Sequence, residues 1–370
     1  MATIKEQTEK TERLKTSLDN KVNSIGNIIH TKVKEKPTTL TQVEDVLNRK
    51  MLGIGDMLPF GTWELDDDFS MHWTKLNTVY GSYGDTGICK NDTHIFVINV
   101  AKNIDKLDLD GNVLKTFNIQ DNYYRPLIAD NSFVYAVENT NLTAIDVNTG
   151  DRIWTVNSGF NIDKLAQNST HIFIGNSKGV ITTYTKADGN KAWTKTVMGG
   201  ISFECLYADD NYLLWSLQNN GEGCLNASTG ANIWEKSIGE RVTSFVIRGD
   251  EAYCTNYDSK IYCFKVKTGD IIWESKAYAT SGPATYPTNN ILLDAFNNIY
   301  FVFDYKTIYK LAPTGKAEIY SITDLAEITD IMLMRDEKDL IVSTADKKLI
   351  RRNNPSMCPI ITNIIDSIFA

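Results

Sequence analysis

The chain has 370 residues, 42% of them hydrophobic, which is enough to bury a large core and too many for a wholly disordered protein. Its formal net charge of −8 excludes a general binder of nucleic acid or of anionic membranes, because such proteins normally present a basic surface. No run of about 18 apolar residues is present, so we expect no membrane insertion.

The first residues, MATIKEQTEKTERLK, are charged and polar. They lack the apolar segment of a signal peptide. We therefore expect synthesis in a cytoplasm, without export.

Residues 1–58 have no aromatic residue and form a segment of their own. Six apolar residues recur there at helical spacing and predict one apolar helix face: Leu14, Leu18, Val22, Ile25, Ile29 and Val33. Pro37 ends this helix, and the capping box Thr41–Glu44 begins a second, shorter one.

A single amphipathic helix must bury its apolar face against something. Three partners are open: the second helix in a local hairpin, another copy of the chain in a homo-oligomer, or a different protein. We interpret residues 1–58 as an attachment segment whose six apolar residues form an assembly interface.

The stretches RLKTSLDNKV and TTLTQVEDVL resemble the short helical modules that begin many tail-fibre and baseplate proteins of phages infecting Gram-positive hosts. The segment departs from that pattern because it lacks the usual KGV-x-V-P link. The resemblance implies a virion component that binds other particle proteins through this end.

Beyond a linker at 59–68, one short pattern recurs four times, as AIDVNTGDRIW, YTKADGNKAW, LNASTGANIW and FKVKTGDIIW. In each copy a Gly precedes a Trp by four residues: Gly150 and Trp154, Gly189 and Trp193, Gly230 and Trp234, Gly269 and Trp273. Runs of β-forming residues such as HIFIG and NIYFVF share the period of about 40 residues. Each unit predicts four antiparallel strands with a hairpin turn at the Gly, and we expect the Trp rings to be buried between neighbouring sheets.

The repeat predicts an all-β fold, a seven-bladed β-propeller over 69–356. The predicted blades are 85–119, 123–159, 161–200, 201–240, 241–281, 283–325 and 326–356. The first and sixth keep the Gly and lose the Trp. The last unit has three strands, and Trp73-Thr74-Lys75 repeats the sequence of Trp193-Thr194-Lys195. We therefore predict that an N-terminal strand at 72–77 completes the last blade and closes the ring.

The TGxxxW repeat resembles that of pyrroloquinoline-quinone-type propellers, a family that includes quinoprotein dehydrogenases and outer-membrane assembly lipoproteins. The dehydrogenases have eight blades, adjacent cysteines and a calcium-bound carboxylate site, which this sequence lacks. The lipoproteins have an export signal and a lipidated Cys, which we do not find at this N-terminus. The resemblance therefore implies the fold and no catalytic residue.

Residues 357–370 predict a short apolar C-terminal helix. Its apolar face comprises Ile360, Ile361, Ile364, Ile365, Ile368 and Phe369. The helix either packs on the propeller or on the N-terminal helices, or inserts into a neighbouring subunit. We include Ile361, Ile364, Ile365 and Ile368 in the predicted assembly interface.

No catalytic, cofactor-binding or metal-binding residue is predicted. The six cysteines and four histidines show no metal-ligand spacing, and GxSxG, GxGxxG and Walker motifs are absent. Cys254 and Cys263 would face each other if the hairpin between them turned at Asp258-Ser259, and we expect them to remain thiols. The acidic cluster Asp66–Asp68 is interpreted as a solvated linker.

These observations favour a non-enzymatic structural protein of a phage or phage-like contractile particle, without a cofactor. Its partners would be other particle proteins at both helical ends, and a host-surface ligand or a protein on the propeller. The alternative is a cytoplasmic bacterial scaffold that binds protein with the propeller. An enzyme with a polar site in the central funnel is a third class.

Overall fold

The computed structural model describes the repeat region of the chain. The described residues are 71–76, 87–99, 101–119, 126–197, 201–218, 221–278, 291–294, 297–313, 315, 318–322, 327–334, 339–346 and 348–353. The predicted helical segments at 1–58 and 357–370, and the linker at 59–68, lie outside these residues. The described part contains strands and turns and no helix.

The strands form seven four-stranded antiparallel sheets. The first strand, β1 (Met71–Leu76), belongs to blade 7. Blade 1 contains β2 (Ile88–Lys90), β3 (Ile95–Ile98), β4 (Ile104–Leu107) and β5 (Val113–Phe117). Blade 2 contains β6 (Leu127–Ala129), β7 (Phe133–Glu138), β8 (Asn141–Asp146) and β9 (Arg152–Asn157). Blade 3 contains β10 (Ile162–Gln167), β11 (His171–Asn176), β12 (Val180–Thr185) and β13 (Lys191–Thr196).

The remaining blades follow the same order. Blade 4 contains β14 (Phe203–Ala208), β15 (Tyr212–Leu217), β16 (Glu222–Asn226) and β17 (Asn232–Glu235). Blade 5 contains β18 (Val242–Arg248), β19 (Glu251–Asn256), β20 (Ile261–Lys265) and β21 (Ile271–Glu274). Blade 6 contains β22 (Leu292–Leu293), β23 (Ile299–Phe303), β24 (Thr307–Leu311) and β25 (Glu318–Ile322). Blade 7 contains β26 (Ile328–Leu333), β27 (Asp339–Thr344), β28 (Lys348–Asn353) and β1.

The predicted seven-bladed propeller and its closure are confirmed. Strand β1 pairs antiparallel with β28, with Thr74 opposite Ile350 and Lys75 opposite Leu349. The outermost strand of blade 7 therefore comes from the opposite end of the repeat region. The pairing protects the edge of β28, which would otherwise present unpaired backbone groups.

The hydrophobic core is divided among the boundaries between blades. Seven buried clusters are present in the described residues, and each joins two neighbouring sheets. Tyr135 of blade 2, for example, shares a cluster with Ile172 and Ile174 of blade 3. Both faces of each blade are therefore apolar, and the β-rich runs of the sequence alternate less than those of a one-sided sheet.

The turn before each repeat Trp has the predicted left-handed Gly. Gly150, Gly189, Gly230 and Gly269 have φ of 73°, 70°, 68° and 66°. The N–H of Gly150 donates to the carbonyl of Asp146 at 2.9 Å, and the other three copies form the same hydrogen bond. Residues with a Cβ adopt this backbone region at a cost, so Gly fixes the turn.

Each repeat Trp contacts the turn Gly of the next blade. A Cβ placed on Gly189 would lie 2.8 Å from Cδ2 of Trp154. The Nε1 of Trp154 donates to the carbonyl of Lys186 at 2.9 Å. Contacts with a turn Gly also join Trp193 to Gly230, Trp234 to Gly269 and Trp273 to Gly315.

The prediction that all four Trp rings are buried was too strong. Trp234 is buried, whereas Trp154, Trp193 and Trp273 are partly exposed. An outermost strand is open to solvent on its outer side, which leaves these three residues partly exposed, although Trp234 at the same position of β17 is covered.

Blade 1 lacks the Trp, and Phe117 takes its place against the next blade. A Cβ on Gly150 would lie 2.9 Å from Cδ1 of Phe117. Lys115 adds a hydrogen bond between the two blades, because its Nζ donates to the carbonyl of Thr149. Blade 1 therefore keeps the contact with the turn Gly of the next blade, with Phe117 in place of the Trp.

The predicted pairing of Cys254 with Cys263 is wrong. Cys254 lies opposite Tyr262, and Tyr253 lies opposite Cys263. Neighbouring positions of a strand point to opposite faces, so Cys254 joins the core between blades 4 and 5 and Cys263 the core between blades 5 and 6. Both are free thiols, as expected.

Candidate functional site

One end of the propeller carries the connections between successive blades. We call it the connector face and define it by connections 158–161 and 236–241 and turns 139–140 and 257–260. The backbone joins these segments: Ser158 N donates to Thr140 O at 2.9 Å, and Tyr257 N donates to Glu240 O at 2.8 Å. The opposite end carries the Gly turns, whose sequence is restricted by the Trp contacts. The connections are free of that restriction, and such loops commonly carry function.

The most organised part of the connector face is a charged cluster between blades 4 and 5. Nε and Nη2 of Arg241 donate to Oε2 of Glu204 at 3.1 and 2.8 Å. The guanidinium carbon of Arg241 lies 4.4 Å from the ring centroid of Tyr257. The three side chains are partly buried, and Arg241 is held by an ion pair and by a cation–π contact.

Two backbone irregularities bring this cluster together. Glu204 is the extra residue of a β-bulge in β14, where the register shifts between Phe203 and Cys205. Arg241 has φ of 47°, a left-handed conformation that is costly for a side chain of this size. Bulges redirect side chains at the rims of sheets. The same bulge occurs in three other innermost strands, at Asp163, Thr243 and Thr329.

The connection between blades 2 and 3 displays an aromatic ring. Phe160 is 48% exposed, and its neighbour Gly159 has φ of 77° with open space around it. Ser158 Oγ donates to the carbonyl of Phe160, and Asn157 Nδ2 donates to Thr140 Oγ1 at 3.0 Å. The exposed ring therefore stands on a connection that is hydrogen-bonded to the adjacent turn.

A buried acid lies beneath the connection between blades 4 and 5. Glu222 is 1% exposed, and neither carboxylate oxygen forms a hydrogen bond of normal geometry. Burial raises the pKa of Glu222 to about 7, and the nearby N–H groups of Ile238 and Val242 only partly oppose this effect. Burial therefore favours the protonated form of this carboxyl group.

The described residues contain no group of three or more His, Cys, Asp and Glu arranged to hold a metal ion. His94 and His171 each share a hydrogen bond of 2.8 Å with the preceding hydroxyl, of Thr93 and Thr170 respectively. His94 therefore belongs to the turn between the first two strands of blade 1, and His171 begins the second strand of blade 3. Among the described residues, no helix is long and apolar enough to cross a membrane.

The predicted assembly residues lie outside the described part of the chain, so the structure neither groups nor separates them. The sequence analysis did not identify Arg241, Glu204, Tyr257 or Phe160. One signal was available for Arg241: the connection KSIGER places a charged pair directly before a buried strand, where the repeat pattern requires neither charge. The partner Glu204 could not be inferred, because a bulge determines its orientation.

Comparison with known proteins agrees with this architecture. The family profile described as outer membrane protein assembly factor BamB matches residues 106–195 and 177–336. The BamB protein of Shewanella oneidensis is 21% identical over 55% of this chain and 44% of its own length. The BamB protein of Yersinia pestis is 23% identical over 57% of this chain and 60% of its own length. The chain thus spans about half the length of the curated relatives it matches.

Solved structures share the fold at low sequence identity. The crystal structure of BamB from Moraxella catarrhalis gives a TM-score of 0.56 at 16% identity, covering 73% of this chain and 83% of that one. A chain of the mitotic checkpoint complex gives 0.68 at 14% identity, covering 81% and 97%. The two segments matched by the family profile together cover more than half of the chain, which therefore belongs to the family described as outer membrane protein assembly factor BamB.

Proposed function

We propose that this protein is a non-enzymatic binding propeller that holds a partner protein on its connector face. The observation that carries the proposal is the pairing of Arg241 with Tyr257, together with the exposed ring of Phe160. Arg and aromatic side chains dominate the energetic centres of protein interfaces. Because these side chains are already ordered, binding a partner costs them little conformational entropy.

The relatives support a scaffold role. Their names describe factors in outer membrane protein assembly, and an assembly factor must contact other proteins. We carry over to this chain only the general role of a binding component in an assembly. We expect the partner to contact the exposed ring of Phe160 and the cluster of Arg241, Glu204 and Tyr257.

We also propose that the protein is not an enzyme. Three candidate groups among the described residues serve structure: Glu204 pairs with Arg241, and the Cys205 and Cys254 thiols are buried with pKa values raised by burial. A raised thiol pKa suppresses the thiolate that nucleophilic catalysis needs.

The connector face is tested with a double variant, Phe160→Ser with Arg241→Ala, and a matched control on the opposite end, Lys267→Ala. Lys267 is exposed and pairs with Asp250, so its loss should not affect the connector face. Each protein is expressed in its source cells, cross-linked, purified and analysed quantitatively by mass spectrometry. We expect at least one partner to fall about thirtyfold or more with the double variant and to stay unchanged with Lys267→Ala. Equal recovery from all three proteins contradicts the proposal.

A narrower form of the proposal places the protein in a phage or phage-like particle, attached by its terminal segments. It rests on the sequence pattern of residues outside the described part of the chain. Replacing Leu18, Val22 and Ile25 by Ser should abolish incorporation into the particle and leave the melting temperature of the propeller unchanged. Co-purification of this variant with the particle rules out attachment through this apolar helix face.

A further inference from the structure

Glu222 lies next to the connection between blades 4 and 5. It begins β16, and its carbonyl accepts a hydrogen bond from Lys236 N at 3.1 Å. Lys236 is the first residue of connection 236–241, which carries Arg241 to the connector face. The side chain of Glu222 is covered by this connection and by the start of β18, since the N–H groups of Ile238 and Val242 are the backbone groups nearest its carboxyl.

The groups around Glu222 offer its charged form no ion pair within the described residues. Cys205 on β14 and Cys254 on β19 interact electrostatically with Glu222. Glu204 and Lys164 also act on Cys205, Asp258 also acts on Cys254, and the connection itself carries Glu240 and Arg241. Both thiols have raised pKa values and are neutral. Arg241 is held by Glu204, and the Lys236 ammonium pairs with Asp270 at 2.8 Å.

Neighbouring hydroxyl and amide groups do not complete the site either. Ser216 Oγ donates to the carbonyl of Val242 at 2.6 Å and is therefore occupied. The buried Nδ2 of Asn256 forms no hydrogen bond, and it packs so tightly against Gly239 that a Cβ there would lie 2.2 Å away. A buried carboxylate that two backbone N–H groups compensate only in part is costly, whereas the protonated acid is tolerated.

The connection above Glu222 has an irregular backbone. It contains a Gly with φ of 141° and an Arg in the left-handed region, conformations that persist only where the surrounding contacts hold them. Displacing it would admit water to the carboxylate while leaving the strands of both blades paired.

We propose that Glu222 is a proton-operated latch: in its neutral form it keeps connection 236–241 packed, and in its charged form it releases the connection and with it the Arg241–Glu204–Tyr257 cluster. The inference deepens the proposed function, because it makes the binding surface depend on pH. Partner affinity should fall as the carboxyl group loses its proton.

The test is hydrogen–deuterium exchange of the full chain, followed by mass spectrometry of peptides covering 236–243, between pH 5.5 and 8.5. Rates are corrected for the intrinsic pH dependence of amide exchange. Wild type is compared with Glu222→Gln, which keeps the shape and carries no charge. The matched control is Glu235→Gln, which removes an exposed acid from the neighbouring strand of the same blade.

Near pH 5.5 all three proteins should exchange alike. Near pH 8.5 the connection of wild type and of Glu235→Gln should exchange up to about thirtyfold faster than that of Glu222→Gln, since opening gains tenfold per pH unit above the titration midpoint. Alkylation of Cys205, whose Sγ lies 3.8 Å from the carbonyl of Val242, should accelerate in the same two proteins.

Identical pH profiles in wild type and Glu222→Gln overturn the proposal. If Glu222→Gln does not fold, Glu222→Met, of similar volume, provides the same comparison, and a pH-dependent profile in that variant also overturns it. The readout needs no partner, so its failure leaves the binding function standing, and loss of partner binding by the connector-face variant is judged separately.

Discussion

The indole of Trp154 lies on the Gly189 turn of the next blade, and no side chain fits between them. A Cβ on Gly189 would lie 2.8 Å from the ring, and the indole N–H binds Lys186 O three residues before the Gly. The contact explains why Gly and Trp recur together, because each Gly accommodates the Trp of the preceding blade as well as its own turn. The repeated motif is therefore a joint between blades.

The joint predicts a coupled effect of two mutations. Trp154→Ala should lower the free energy of unfolding by about 2–4 kcal/mol, less than the loss of a fully buried Trp, because Trp154 is only partly buried. Gly189→Ala should cost more than the roughly 1 kcal/mol of its left-handed backbone, since the new methyl meets the indole. In the double variant, Gly189→Ala should cost only the roughly 1 kcal/mol of its left-handed backbone, because the indole that the new methyl would meet is absent.

The measurement is urea-induced unfolding followed by circular dichroism, with the four proteins of a double-mutant cycle. Ile153→Ala is the control, because Ile153 adjoins the Trp yet is 48% exposed and should change stability by well under 1 kcal/mol. Strict additivity of the Trp154 and Gly189 effects would mean that the interaction energy between the two residues is zero.

The sequence predicted those features that the repeat itself determines. The period, the left-handed Gly turns and the identity between Trp73-Thr74-Lys75 and Trp193-Thr194-Lys195 were sufficient for seven blades and for the closing strand. The Cys254 and Cys263 positions were misjudged by one residue, because Thr255 pairs with Ile261 and the hairpin is therefore centred on Asp258, not between Asp258 and Ser259. The Arg241 cluster depends on a bulge and a left-handed residue, and neither has a sequence signal of its own.

The closing strand predicts a sharp difference between two truncations. Removing residues 1–60 should leave a folded propeller. Removing residues 1–80 also deletes β1, which exposes the edge of β28 and leaves blade 7 with three strands. We expect the longer truncation to aggregate or to melt at a clearly lower temperature, measured by differential scanning calorimetry and light scattering. Equal melting of the two proteins contradicts the role of β1.

Blade 6 contains a buried charge pair whose removal should be costly. Lys310 Nζ lies 3.6 Å from Asp294 Oδ2, and both side chains are almost fully buried. The same oxygen accepts hydrogen bonds from Asn298 Nδ2 and Tyr300 OH, so Lys310 belongs to a buried polar network around this carboxyl group. Lys310→Ala should lower the free energy of unfolding by about 3–5 kcal/mol.

The control is the pair of Lys267 with Asp250, which is shorter at 2.9 Å but exposed. Lys267→Ala should change the free energy of unfolding far less than Lys310→Ala, because water screens the exposed pair. The comparison separates burial from distance: similar losses in the two variants would show that the buried charge of Asp294 is not held by Lys310.

The titration of Glu222 predicts how global stability depends on pH. The pKa of this acid is raised in the folded protein from its ordinary value of 4.5 to about 7, so the folded state holds the proton more tightly than the unfolded chain. The resulting stabilisation is fully present below pH 4.5 and is lost as the pH rises through about 7. A shift of this size corresponds to about 3 kcal/mol between the two limits.

Chemical unfolding of wild type and Glu222→Gln at pH 5, 6, 7, 8 and 8.5 isolates this contribution, since all other titrating groups are common to both proteins. The free energy of unfolding of wild type should fall relative to the variant as the pH rises, with most of the change complete by pH 8. Glu235→Gln, which removes an exposed acid, should follow the wild-type curve. A constant difference between wild type and Glu222→Gln across the series would mean that Glu222 is already ionised in the folded protein, and the burial of its carboxyl group would then need a counter-charge or a water that satisfies it.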